Sequence, residues 1–237
     1  MKKLNSFFLT ALFVVVSLSS VMSENTEIVS KDYKVKSFSS INANTVADIV
    51  YTQSNKVSVT VEGAQEMIDN LKIDSNKGVL TIENHREFNN KKDEPLVVLI
   101  SSPEINSIET YGIGNLCLKG KVKTDNLDIH AEGIGKVYAL DLESKKICVK
   151  YSGIGNLKLA GETDIVEINA DGIGNIDCKD LLANITMVKS TKTGKVNCFA
   201  SESIGLFNDG IGEISYQGNP TFKNLQNGGM GKIREIK

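Results

Sequence analysis

The sequence has no tryptophan, 3 prolines, 2 histidines and an aromatic content of 6 % among 237 residues. With 20 glycines and 41 % apolar residues, that composition excludes a chain dominated by long helices and suits many short β segments joined at glycine turns. There is no basic excess either: 27 Lys and Arg stand against 29 Asp and Glu, a formal charge of −2, or about −4 once Lys2 and Lys3 leave with a leader. Polyanion binding depends on clustered cations and counterion release, so nucleic acid is excluded as a partner.

One long apolar run exists. Lys2-Lys3, the stretch from Phe7 to Leu18 and the small residues around Val21 and Ser23 have the three-part pattern of a secretory signal cut before Glu24. Export to the periplasm, the outer surface or the medium is the expectation. No cysteine lies near the leader, which disfavours a lipid anchor, and no second spanning segment follows.

Internal repetition organises the rest. Gly-Ile-Gly occurs at Gly112-Ile113-Gly114, Gly133-Ile134-Gly135, Gly153-Ile154-Gly155, Gly172-Ile173-Gly174 and Gly210-Ile211-Gly212, with the variants Lys192-Thr193-Gly194 and Gly229-Met230-Gly231. The steps run from 18 to 21 residues. Two and four places after the second glycine stand pairs such as Leu116/Leu118, Leu157/Leu159 and Ile176/Cys178; before the first stand Leu127/Ile129/Ala131 and Ile147/Val149/Tyr151. That alternation marks strands with one buried face. The glycines therefore read as structural corners, with the central isoleucine expected to turn inward. A second corner falls at Gly120, Asp141, Gly161, Asp180, Ala200 and Gly218.

A unit that turns two or three times and returns every 20 residues predicts a single-stranded right-handed β-helix of about seven coils over 104–237, an all-β solenoid. Residues 24–103 are strand-rich without the repeat, around 46–51, 57–61, 79–82 and 96–100. Ala64 to Leu71 can hold one or two helical turns, and Asn84 to Glu94 is a polar loop. This half is expected to supply the cap and the opening coils.

Phe38-Ser39-Ser40-Ile41-Asn42-Ala43, the Gly78-Val79-Leu80-Thr81-Ile82 segment and Pro103 leading to Tyr111-Gly112-Ile113-Gly114-Asn115 together resemble the head GIN domain family of putative auto-transporter adhesins. The resemblance covers most of the chain after the leader. It implies an exported bacterial β-helix and leaves molecular function largely open.

No catalytic, cofactor or metal residue stands out. Calcium is disfavoured because lysines recur at the position after the second glycine, at Lys136, Lys195 and Lys232. Glu132, Asp171 and Asp209 precede their glycines, but Ser152 and Thr191 interrupt the column; His85 and His130 have no evident triad partners. Cys178 and Cys198 share an inward register, as stacked thiols or a disulfide, whereas Cys117 and Cys148 face outward, with Cys117 a candidate reactive thiol. No Cys-x-x-Cys spacing suggests zinc. The reading is a non-enzymatic envelope or surface protein, an adhesin-like scaffold for glycan, envelope polymer or protein. Self-association through the solenoid ends is one further possibility, and a carbohydrate-active β-helix enzyme acting on acidic polysaccharide is the alternative.

Overall fold

Alternating side chains and recurrent glycines close the chain into a β-solenoid of about six turns, close to the seven expected. The computed structural model describes residues 27–84 and 96–236; the leader expected at 1–23, His85 and the rest of the polar segment through Glu94 lie outside them.

The N-terminal elements are β1 (Ile28–Tyr33), β2 (Ser40–Val46), β3 (Asp48–Gln53), β4 (Ser58–Ala64), the short helix α1 (Gln65–Asp69), β5 (Leu71–Asn76), β6 (Val79–Asn84) and β7 (Val97–Ser102). The coils continue through β8 (Ser107–Ile113), β9 (Leu116–Leu118), β10 (Val122–Ile134), β11 (Val137–Ile154), β12 (Leu157–Ile173) and β13 (Ile176–Ser190). They end with β14 (Lys195–Phe199), β15 (Ser203–Asn208), β16 (Glu213–Gln217), β17 (Phe222–Asn227) and β18 (Lys232–Glu235).

From β8 onward every strand pairing is parallel. Two apolar columns run up the interior. One stacks Leu116, Val137, Leu157, Ile176, Val196 and Ile214; the other stacks Ile108, Ile129, Val149, Ile168, Val188 and Leu206. All twelve are buried, each contributing roughly 1.5–3 kcal/mol of transfer free energy.

The opening coils do not stack in chain order. The β2–β3 coil lies between two later segments: β2 pairs with both β6 and β8, and β3 with both β7 and β9, all parallel. Outside β6 and β7 the pairing turns antiparallel, with β5 on β6, β4 on β7 and β1 on β4. These strands and α1, whose Met67 and Ile68 are buried, cover the edge that a bare parallel coil would expose. The cap was expected; its antiparallel weave and the inserted first coil were not.

A third corner joins the two foreseen. Pairing skips Asp125, Lys145 and Asp164, and beside each gap a hydroxyl donates to the carbonyl two residues on: Thr124 to Asn126, Ser144 to Lys146 and Thr163 to Ile165, at 3.0–3.1 Å. The side chain supplies a turn bond that the kinked backbone cannot make with its neighbours. At the second corner Gly120, Gly161 and Gly218 take positive φ.

Candidate binding face

The strand alternation does not pause at the Gly-Ile-Gly corner. Ala131 points in, Glu132 out, Gly133 in, Ile134 out, Gly135 in and Lys136 out. The isoleucine therefore faces solvent, which corrects the expectation that it turns inward: Ile113, Ile134 and Ile154 are each 52 % exposed, Ile173 56 % and Ile211 61 %.

The glycines are required by the coil beneath. A Cβ on Gly135 would stand 1.8 Å from the carbonyl oxygen of Gly114, and one on Gly174 1.7 Å from that of Gly155. Backbone stacks directly on backbone here, so no side chain can occupy the inward position without moving a coil. All the corner glycines named from sequence, namely Gly112, Gly114, Gly133, Gly135, Gly153, Gly155, Gly172, Gly174, Gly210, Gly212, Gly229 and Gly231, would bring a Cβ within 2.4 Å of the preceding coil.

Close stacking aligns the outward side chains into columns. Val46, Ile113, Ile134, Ile154, Ile173 and Thr193 are successive register partners, and backbone hydrogen bonds donated by the Ile211 amide to the Lys192 carbonyl and by the Met230 amide to the Gly210 carbonyl carry the column two rungs further. Eight rungs about 4.8 Å apart make an apolar ladder of roughly 34 Å. Its five isoleucines expose on the order of 500 Å², near the largest apolar patch usual on a soluble monomer.

Polar columns border the ladder on both sides. On the N-terminal side stand the exposed Glu132, Asp171 and Asp209; on the other stand the exposed Lys136, Lys195 and Lys232 among asparagines and Glu213, which is ion-paired with Arg234. Those asparagines are structural. Asn115 Oδ1 accepts the Lys136 amide at 3.0 Å, Asn156 Oδ1 that of Asn175 at 2.9 Å and Asn175 Oδ1 that of Lys195 at 3.0 Å. Each ties one coil to the next at a corner where strand pairing lapses.

One coil departs from the rule. Lys192 stands where the other coils place glycine, points inward and is 1 % exposed, with its ammonium 5.2 Å from the Tyr151 ring centre and no hydrogen-bond partner among the described residues. Burial pulls its pKa down to about 8. In the same coil Thr193 replaces the ladder isoleucine.

The other polar groups do not converge. His130 is half-buried, edge-on to Tyr111 at 5.4 Å, with Tyr111 Oη 3.3 Å from Nδ1. At the third corner an open groove is lined by Lys123, Asp125, Glu143, Lys145, Glu162 and Asp164. Glu143 pairs with Lys121 and Lys123, whose hydrogen bonds hold its pKa down to about 2, and Asp125 with Lys145 at 3.0 Å, while Asp164 accepts from the Asn184 amide at 3.4 Å. No cluster of three or more His, Cys, Asp or Glu placed to share a metal ion occurs among the described residues. Beneath the corner of the first coils lies a cavity of about 30 Å³, beside the unpartnered hydroxyl of Thr45 and large enough for one water.

All four cysteines are free thiols. Cys178 and Cys198 are buried register partners on adjacent coils, and Cys117 and Cys148 are half-exposed. Burial raises all four pKa values, that of Cys198 to about 12 and that of Cys178 beyond it. Iodoacetamide at pH 8 is expected to modify Cys117 and Cys148 at least about 100-fold faster than the buried pair, whose labelling tracks unfolding. Peptide mass spectrometry over time reads the difference.

A family model described as putative auto-transporter adhesin, head GIN domain, matches residues 37–220. The chain belongs to that family. Among solved structures, a putative adhesin of Bacteroides fragilis is 32 % identical, with a TM-score of 0.83 over 90 % of this chain and 98 % of its own. A putative lipid binding protein of Parabacteroides distasonis (21 %, TM-score 0.68) and a putative adhesin of Parabacteroides merdae (20 %, TM-score 0.63) cover the same shares and share the fold. No curated protein matches the sequence. Within this head GIN domain, the bordering charges were legible in the sequence, and the ladder between them was missed because the isoleucine was turned the wrong way.

Proposed function

We propose that this head GIN protein is an exported, non-enzymatic, adhesin-like protein of the cell envelope or surface, and that the isoleucine ladder with its charged borders is its adhesive face. The exposed column carries the reading: five isoleucines left half in water at the most constrained corner of the fold lose transfer free energy that contact with a partner would recover. Membership in a family of putative adhesins and the leader-like N-terminus agree with it. A linear, periodic face suits multipoint contact with an extended envelope polymer, glycan or protein better than enclosure of a small molecule. At the third corner Glu143 and Asp125 are ion-paired with lysines, which leaves the polysaccharide-cleaving alternative without a free acid pair at those two residues.

The test is co-sedimentation with isolated envelope fractions and arrayed glycans. Replacing Ile134, Ile154 and Ile173 together by serine is expected to reduce retention at least about tenfold while leaving the melting temperature within a few degrees, since all three are surface residues. Unchanged retention would remove the ladder from the proposal, and sustained product release from acidic polysaccharides would overturn the non-enzymatic reading.

A further inference from the structure

We infer that the ladder recognises a second copy of this chain, forming a side-by-side dimer whose two-fold axis runs parallel to the solenoid axis. The inference rests on the adhesive face just described and names its partner.

Period is the first argument. Any partner that covers eight rungs must repeat about every 4.8 Å for 34 Å, and an identical ladder does so rung by rung. Area is the second: the isoleucine column with the two bordering columns spans on the order of 700 Å², within the roughly 600–1,000 Å² per partner that stable complexes bury.

Charge decides the orientation. Glu132, Asp171 and Asp209 lie on one side of the ladder and Lys136, Lys195 and Lys232 on the other, where the carboxylate of Glu213 is ion-paired with Arg234. Two ladders face to face about an axis across the solenoid would set carboxylate column against carboxylate column. An axis along the solenoid instead sets Glu132 against Lys136 of the second copy and Asp171 against Asn175, while the Glu213 that meets Asp209 is already ion-paired with Arg234 of its own chain. Glu132 and Lys136 flank the same rung, so each meets the other's counterpart, and neither has an ion-pair partner within its own chain among the described residues. Such an interface is isologous and closes at two copies. Like charges opposed in the other orientation give selectivity as well as attraction.

Sedimentation equilibrium of the purified chain is expected to show a monomer–dimer equilibrium. Serine at Ile134, Ile154 and Ile173 is expected to weaken it about 100-fold or more. Glu132→Lys alone is expected to weaken it several-fold and to be rescued by Lys136→Glu in the same chain, a readout that survives even if the triple variant folds poorly. In a Cys117→Ser, Cys148→Ser background, Ile113→Cys is expected to cross-link to itself with a short bis-maleimide, because a parallel axis brings identical rungs together even at the ladder's end. A chain that stays monomeric at every concentration overturns the inference, as does a dimer indifferent to the triple substitution, which would use another surface such as the terminal strands. A monomer that loses envelope binding on the triple substitution removes the second copy while leaving the adhesive face standing; a dimer whose ladder variants still bind envelope does the reverse.

Discussion

Alanine at position 135 is expected to prevent the stack from closing. The new Cβ would lie 1.8 Å from the Gly114 carbonyl oxygen, about half an ordinary contact distance, and the obstructing atom is backbone held in the coil below. No flexible side chain can yield, so the coils must separate, and ladder bonds at the corner are lost with them. Overpacking in a core usually costs 1–3 kcal/mol; with backbone on both sides the expectation is at least about 4 kcal/mol, a large share of a domain's stability. Gly135 is the informative choice because its φ lies outside the left-handed region, which leaves steric exclusion as the only cause. Gly78→Ala is the control: φ is +81° there but nothing lies within 4 Å of the added methyl, so only backbone strain of about 1 kcal/mol is expected. Urea unfolding followed by circular dichroism compares the two, and near-equal midpoints would refute the close-stacking account.

Methionine in place of Lys192 is expected to stabilise the protein at pH 7 by on the order of 2 to 3 kcal/mol, the free energy of holding an ammonium in the core with its pKa drawn from 10.5 to about 8. Methionine fills similar space without a charge. The pH dependence identifies the cause. Between about pH 8 and 10.5 the folded chain has released a proton that the unfolded chain still holds, so this group's contribution to stability rises with pH. The buried thiols act oppositely: with Cys198 raised to about 12 and Cys178 higher, the folded state keeps protons that the unfolded state loses above about pH 9, and stability falls as pH climbs past that value. Wild-type stability should therefore climb between pH 8 and 9 and decline above it. Lys192→Met should lack the climb and keep the decline. Equal slopes for the two proteins in that window would show that the amine does not titrate in the core.

Much of this was legible beforehand, and the errors have physical origins. Period-two alternation located the inward columns, and the glycine spacing gave the length of a solenoid turn. The same alternation, carried without interruption from Ala131 through Ile134 to Val137, places the isoleucine outside; treating the glycines as a break in the strand concealed it. The third corner is written in Thr124, Ser144 and Thr163, a hydroxyl recurring every 19 to 20 residues, once its bond to the carbonyl two residues on is known. Lys192 was visible as an exception to the glycine rule, and its inward position follows from parity alone. The position of β2–β3 was not legible. Those strands have no repeat to set their order, and their neighbours come from segments some 40 to 70 residues downstream, where long-range pairing rather than local pattern decides.

That interleaved first coil bears on how the molecule comes into being. A solenoid built in strict sequence could wind up from its N-terminus as each turn is delivered. Here β2 and β3 wait for β6 and β7 to complete one edge and stay open on the other until the chain through Leu118 is present. The opening half must therefore emerge as a whole before anything can settle on it, and only then can the later turns be laid down one upon another.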